Sequence, residues 1–107
     1  MTSGSYRDLE AYRLARTLLA DACRDDAPSP RLGRMALTVA LHVLDGTRAE
    51  EPGIRRGHLE AALRAAGELE HLLETLETSD AIPEELALEM RHLCDRTEVA
   101  ILETLGE

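Results

Sequence analysis

The chain has 107 residues, a net charge of −9, two cysteines and no lysine. A domain of this size buries roughly 60–70 % of its unfolded surface, so its stability requires neither a disulfide nor a structural metal. The absence of lysine excludes Schiff-base chemistry and a phosphate-binding P-loop, both of which need that side chain. Ala, Leu, Glu and Arg dominate the composition, which favours an all-α protein.

The charge is unevenly distributed along the chain. Residues 31–64 carry six arginines against four carboxylates, whereas residues 65–107 carry two arginines against twelve carboxylates. An acidic chain is a poor general binder of nucleic acid, because phosphate contacts need cations. The middle segment leaves open a local basic face, with solvated helix surfaces as the alternative. The candidate residues of that nucleic-acid or partner patch are Arg31, Arg34, Arg48, Arg55, Arg56 and Arg64.

The first helix is predicted over residues 6–25. Ser5 followed three residues later by Asp8 is typical of a helix N-terminus, and Pro28 ends the helix, because the residue before a proline avoids the helical conformation. Apolar residues three or four positions apart predict the inner face of this helix. They are Leu9, Tyr12, Ala15, Leu19 and Cys23, flanked by Leu18 and Ala22.

The second helix is predicted over residues 30–45, beginning at Ser29-Pro30. Asp45-Gly46 is expected to end it, because glycine readily adopts the left-handed conformation that follows many helices. His42 lies among leucines and valines, which favours a helix-contact histidine over a metal ligand. The predicted inner residues are Leu32, Met35, Ala36, Val39, Ala40, Val43 and Leu44.

The third and fourth helices are predicted over residues 52–78 and 83–105, joined by a tight turn from Ser79 to Pro83. His58, near the start of the third helix, is assigned to a polar surface patch with Arg55 and Arg56. The third helix has an apolar seam of Leu59, Ala62, Ala66, Leu69, Leu73 and Leu76, and the fourth has an inner stripe of Leu86, Met90, Leu93, Thr97, Ala100 and Ile101.

Four helices with short connections predict one antiparallel up-down-up-down bundle over residues 1–107. The two cysteines are expected to act as small apolar residues and not to form a disulfide. No apolar run reaches the length of a membrane span, and the polar opening residues do not resemble a signal peptide. A cytoplasmic protein without a membrane partner is therefore expected.

Two Glu-x-x-His motifs are the sharpest candidate for chemistry. Glu68 with His71 and Glu89 with His92 each place two possible metal ligands on one helix face. The apolar seam turns the first pair outward, however, and the second helix offers no carboxylate at the same height. A solvated surface is therefore the favoured interpretation. No cofactor, metal or catalytic residue is predicted, and the protein is not expected to be an enzyme.

Several stretches along nearly the whole chain carry a family resemblance. They are Tyr6-Arg-Asp-Leu9-Glu-Ala-Tyr12, Arg34-Met-Ala36-Leu-Thr38, Val43-Leu-Asp45-Gly46 and Ala65-Ala-Gly67-Glu-Leu69. In this order they resemble the four-helix bundle family of the 23S ribosomal RNA intervening-sequence proteins. His42 and Glu68 depart from that family's usual Asn and Ser. The resemblance implies an antiparallel bundle that forms a ring-like homopentamer. It also implies kinship with the accessory variability protein of diversity-generating retroelements, which engages a reverse transcriptase and nucleic acid.

Three functions follow as hypotheses. The first is a non-enzymatic, self-assembling scaffold or adaptor that binds a protein partner. The alternatives are a nucleic-acid or reverse-transcriptase accessory factor that uses the arginines, and a metal-binding bundle that uses the Glu-x-x-His motifs. The leucines that lie off or beside the inner stripes are the candidate oligomer contacts. These are Leu37, Leu41, Leu63, Leu72 and Leu88.

Overall fold

The computed structural model describes residues 6–24 and 29–106. Over these ranges it contains four helices and no strand, which confirms the all-α class. None of these helices has the length and apolar composition needed to cross a bilayer. The predicted capping residue Ser5, the predicted helix end at residue 25 and Pro28 lie outside the described residues. The helices are α1 (Tyr6–Ala22), α2 (Pro30–Arg48), α3 (Pro52–Thr78) and α4 (Glu84–Leu105).

The helices surround one aliphatic core. The main contacts are α1 with α2, α2 with α3, α3 with α4, and α4 with α1. Consequently α2 and α4 occupy opposite corners of the bundle, and so do α1 and α3. The molecule is elongated, with extents of 46 × 19 × 19 Å, as expected when the 27 residues of α3 rise about 1.5 Å each. The largest fully buried side chains include Leu18, Leu32, Leu59, Leu69, Leu73, Met90 and Ile101.

The predicted seam of α3 and the predicted stripe of α4 both face this core. From Leu59 to Leu73 every seam residue is buried, and Leu76 is half-buried at the end of the seam. All six predicted inner residues of α4 are buried as well. On α2, Met35 and Leu44 are half-buried and the other predicted inner residues are buried. The helical periodicity therefore identified the inner side of three helices.

The predicted inner face of α1 is wrong at its two ends. Leu9 is 51 % exposed and Cys23 is exposed, whereas Leu18 is buried as predicted. Asp8 and Ala11, which were not predicted, are buried as well. Asp8 is buried in place of Leu9, and its carboxylate oxygens accept hydrogen bonds of 2.7 and 3.2 Å from the guanidinium of Arg55 on α3. A bidentate pair of this kind satisfies a buried carboxylate.

The predicted end of α2 at Gly46 is also wrong. The helix continues to Arg48, and Gly46 does not have a positive φ. A Cβ atom on Gly46 would lie 2.9 Å from Cγ of Leu59, so glycine permits the close approach of α2 and α3. At the other end of the bundle, Pro83 precedes the first residue of α4 and is not part of the helix.

The turn between α3 and α4 is a Schellman motif. The N–H of Asp80 donates to the carbonyl of Glu77 over 3.1 Å, and the N–H of Ala81 donates to the carbonyl of Leu76 over 2.8 Å. Asp80, with φ of 58°, takes the left-handed position that glycine usually occupies. These bonds satisfy carbonyls at the end of α3 and set the start of α4.

Candidate functional site

The outer side of α2 combines exposed leucines with arginines. Leu37 and Leu41, one turn apart, are 44 % and 48 % exposed. Arg34 and Arg48 extend the same line of residues at helical spacing, and exposed Asp45 lies on that line between Leu41 and Arg48. The helix contains three arginines and one carboxylate, Asp45. We call the line formed by Arg34, Leu37, Leu41 and Arg48 the basic α2 face.

The outer side of α4 has the opposite charge. Leu88, Val99 and Leu102 are each about half exposed, and Asp95 lies between them on the same side of the helix. The helix contains six carboxylates and two arginines, and one of the arginines, Arg91, lies between Leu88 and Asp95 and pairs with Glu77. We call the line formed by Leu88, Asp95, Val99 and Leu102 the acidic α4 face.

The five predicted oligomer contacts therefore fall into two groups. Leu37 and Leu41 lie on the basic α2 face, and Leu88 lies on the acidic α4 face. Leu63 and Leu72 are half-buried and pack against the core of their own chain. Leu72 also borders the open groove between α2 and α3. The exposed leucines of the first group are the more accessible to a second molecule.

The six predicted arginines do not form one patch. Arg31 and Arg64 line a groove between α2 and α3, whereas Arg34 borders a different groove, next to the end of α1. Arg48 lies at the far end of α2, about 25 Å along the helix from Arg31. Arg55 is engaged by Asp8, and exposed Arg56 pairs with Glu60 over 3.2 Å.

The Glu-x-x-His residues do not assemble into a metal centre. Exposed Glu68 and His71 line the α2–α3 groove, which is open and encloses about 790 Å³. Glu89 forms an ion pair of 3.2 Å with Arg24, and His92 is exposed. Among the described residues, the group of three possible metal ligands that lie within 4.8 Å of one another is Glu70, Asp95 and Glu98, which includes none of the four candidates.

That carboxylate group lies where α3 meets α4. A hydrogen bond with Asp95, burial, and the negative charges of Glu98 and Asp95 raise the pKa of Glu70 to about 7. Burial and the charge of Asp95 also raise the pKa of Glu98. The neighbouring Cys94 thiol has its pKa raised to about 12, first by burial and then by the three carboxylates. The clustering of three carboxyl groups therefore favours the protonated form of Glu70 at this helix contact. The raised pKa of Cys94 keeps it a thiol, which is unreactive.

A pair of histidines bridges α2 and α3. The Nδ1 atoms of His42 and His58 lie 3.2 Å apart, and the ring centroids are 5.4 Å apart with the planes inclined by 37°. Both side chains are half-buried. The prediction that His42 lies in a helix contact is consistent with this position, but its partner, His58, had been assigned to a surface patch. His42 and His58 are each eight residues from Glu50, which lies in the connection between the two helices. In a helical hairpin, residues equally far from the connection lie at the same height, so this spacing could have predicted the contact.

Comparison with known proteins identifies no relative. No protein-family model matches the chain, and no curated protein and no solved structure matches it. The resemblance to the intervening-sequence proteins therefore rests on the motifs quoted above and stays a prediction.

Proposed function

We propose that this protein is a non-enzymatic scaffold that assembles head to tail, the basic α2 face of one copy packing on the acidic α4 face of the next. The observation that carries the proposal is the complementarity of these two faces. Each presents about half-exposed aliphatic side chains, and the helices that carry them have opposite net charge, positive for α2 and negative for α4. Burial of the leucines supplies the free energy of association, and the charges select the partner face.

The positions of the two faces favour a ring or an open chain over a symmetric dimer. Because α2 and α4 occupy opposite corners of the bundle, one copy binds a neighbour on each side. Contacts between different faces generate rings when the rotation closes and filaments when it does not. A closed ring agrees with the homopentamer that the family resemblance implies.

The same proposal includes the up-down-up-down course of the helices. Along α3, Glu70 lies near Glu98 of α4, whereas Glu77, further along, pairs with Arg91 over 2.7 Å. Residues later in α3 therefore contact residues earlier in α4. On α1 the same reversal occurs, with Glu10 4.0 Å from Arg96 and Arg24, just beyond the helix, 3.2 Å from Glu89. These contacts support antiparallel packing of α3 against α4 and of α1 against α4.

The nucleic-acid alternative has less support. Arg31 and Arg34 lie at one end of α2 and Arg48 at the other, and Arg64 lies on α3. Arg55 and Arg56 are engaged by carboxylates. A protein partner for the assembled scaffold and a cytoplasmic location stay predictions.

The mass of the protein in solution tests the proposal. We expect light scattering at micromolar concentration to give a mass several times the 11.8 kDa of one chain. The double substitution Leu37→Glu/Leu41→Glu should weaken association at least about 100-fold, because it removes two apolar contacts and places carboxylates opposite an acidic surface.

Ile54→Glu provides the matched control. Ile54 is as exposed as these leucines but lies in the first turn of α3, outside both faces. This variant should retain the mass of the unmodified chain. A monomeric unmodified chain would refute the proposal, and so would a double variant that assembles normally.

A further inference from the structure

The histidine pair between α2 and α3 has no part in the proposed assembly, and its geometry suits another purpose. The two Nδ1 atoms face each other across 3.2 Å, one from each helix. Two nitrogen ligands of a tetrahedral Zn²⁺ at 2.0–2.1 Å lie about 3.3–3.4 Å apart. The fold therefore already holds two imidazole nitrogens within about 0.2 Å of the separation that a single ion requires.

The geometry points to a binding site for a late first-row divalent cation, Zn²⁺, Cu²⁺ or Ni²⁺, held by Nδ1 of His42 and Nδ1 of His58. Imidazole nitrogen suits these metals, whereas Mg²⁺ and Ca²⁺ prefer oxygen ligands. Water completes the coordination, because both side chains are only half-buried. With two protein ligands the site binds more weakly than a four-ligand structural zinc site.

Proton positions change when the ion binds. In the hydrogen-bonded pair, the Nδ1 of one ring carries a proton and donates a hydrogen bond to the unprotonated Nδ1 of the other ring. A metal ion needs both Nδ1 lone pairs. The proton of the donor ring must therefore move from Nδ1 to Nε2, which changes that ring to its other neutral tautomer. No net proton is released by a neutral pair, and no redox step is involved.

The neighbouring backbone holds the two rings in place. Gly46, one turn beyond His42, allows α3 to approach so closely that a Cβ atom there would be 3.3 Å from Cβ of His58. Arg55, one turn before His58, donates to the carbonyl of Gly46 over 3.4 Å and to Asp8. Little reorganisation is therefore required before the ion binds, and the bound ion links α2 to α3.

Calorimetric titration of the intact chain with ZnCl₂, and separately with CuCl₂, tests the site. We expect one ion per chain from each salt, with Cu²⁺ bound more tightly than Zn²⁺ as the Irving–Williams order requires. His42→Gln and His58→Gln should each weaken binding at least tenfold. The other two of the four histidines provide the controls, and His71→Gln and His92→Gln should bind as the unmodified chain does.

Thermal unfolding gives an independent measurement. Excess Zn²⁺ should raise the melting temperature of the unmodified chain, and EDTA should reverse the increase, because a ligand of the folded state stabilises it. The His42→Gln variant, first shown by circular dichroism to be folded, should not respond. Absence of ion uptake by the unmodified chain would overturn the inference. Equal uptake by the His42→Gln and His58→Gln variants would overturn it too, and so would loss of binding in the His71→Gln or His92→Gln variant.

Discussion

Glu70 holds its proton to higher pH than a surface glutamate does, because it hydrogen-bonds Asp95 and faces the charge of Glu98. Folding raises the pKa of Glu70 from its ordinary value of 4.5 to about 7. The protonated form is thus favoured by the folded state. The stability that this proton contributes is fully present below about pH 4.5 and is lost as the pH rises through 7.

Glu70→Gln should therefore stabilise the bundle at pH 8 and leave it nearly unchanged at pH 5. Glutamine keeps the hydrogen-bond donor without the charge. We expect a gain of about 1–2 kcal/mol at pH 8, less than the full pKa shift implies, because solvent screens this partly exposed group. Urea unfolding at both pH values measures the difference, and Glu74→Gln, an exposed position on α3, is the control. An equal effect of Glu70→Gln at both pH values would contradict the assignment.

At the scale of the helices, the bundle depends on how closely α2 approaches α3. Gly46 makes that approach possible, since Leu59 occupies the space that a side chain at this position would need. Gly57, also within a helix, has no atom within 4 Å of the place where its Cβ would be. The two glycines therefore provide a matched pair that separates packing from helix propensity.

Gly46→Ala should cost about 1–3 kcal/mol of unfolding free energy, the usual range for overpacking a well-filled core. Gly57→Ala should be neutral or stabilise the protein by up to about 1 kcal/mol, because alanine is the better helix former and meets no obstacle. Chemical denaturation at one fixed protein concentration measures both variants. A Gly46→Ala variant as stable as the unmodified chain would show that the contact can open without cost.

Periodicity predicted the α3 seam and the α4 stripe because those faces contain few polar residues on their inner side. It failed at the start of α1, where Asp8 is buried instead of Leu9 because Arg55 reaches its carboxylate from a helix distant in sequence. Gly46 was misinterpreted because Asp-Gly after an apolar run suits a helix end as well as a helix crossing. The carboxylate group and the histidine pair were not predicted because each joins residues of two helices, and helical periodicity describes only one helix at a time. The sequence pattern predicts Leu37, Leu41 and Leu88 off the inner stripes, and they are exposed, whereas exposed Leu102 was not predicted.

At the scale of the whole molecule, the two outer faces with exposed apolar side chains lie at opposite corners of the bundle, on helices of opposite net charge. The basic α2 face and the acidic α4 face lie on helices that make no main contact with each other within one chain. A chain with net charge −9 repels its copies on average, so association needs a local match of this kind. Head-to-tail assembly is the arrangement in which both faces are covered at once.

Mixing two variants tests this central claim most directly. One variant, Leu37→Glu/Leu41→Glu, has a disrupted α2 face, and the other, Leu88→Arg/Leu102→Arg, has a disrupted α4 face. Sedimentation should give one chain, 11.8 kDa, for each variant alone. The equimolar mixture should contain a species of at least two chains, because each variant retains the face that the other lacks. A mixture that stays monomeric while the unmodified chain assembles would contradict the account, and so would normal assembly of either variant alone.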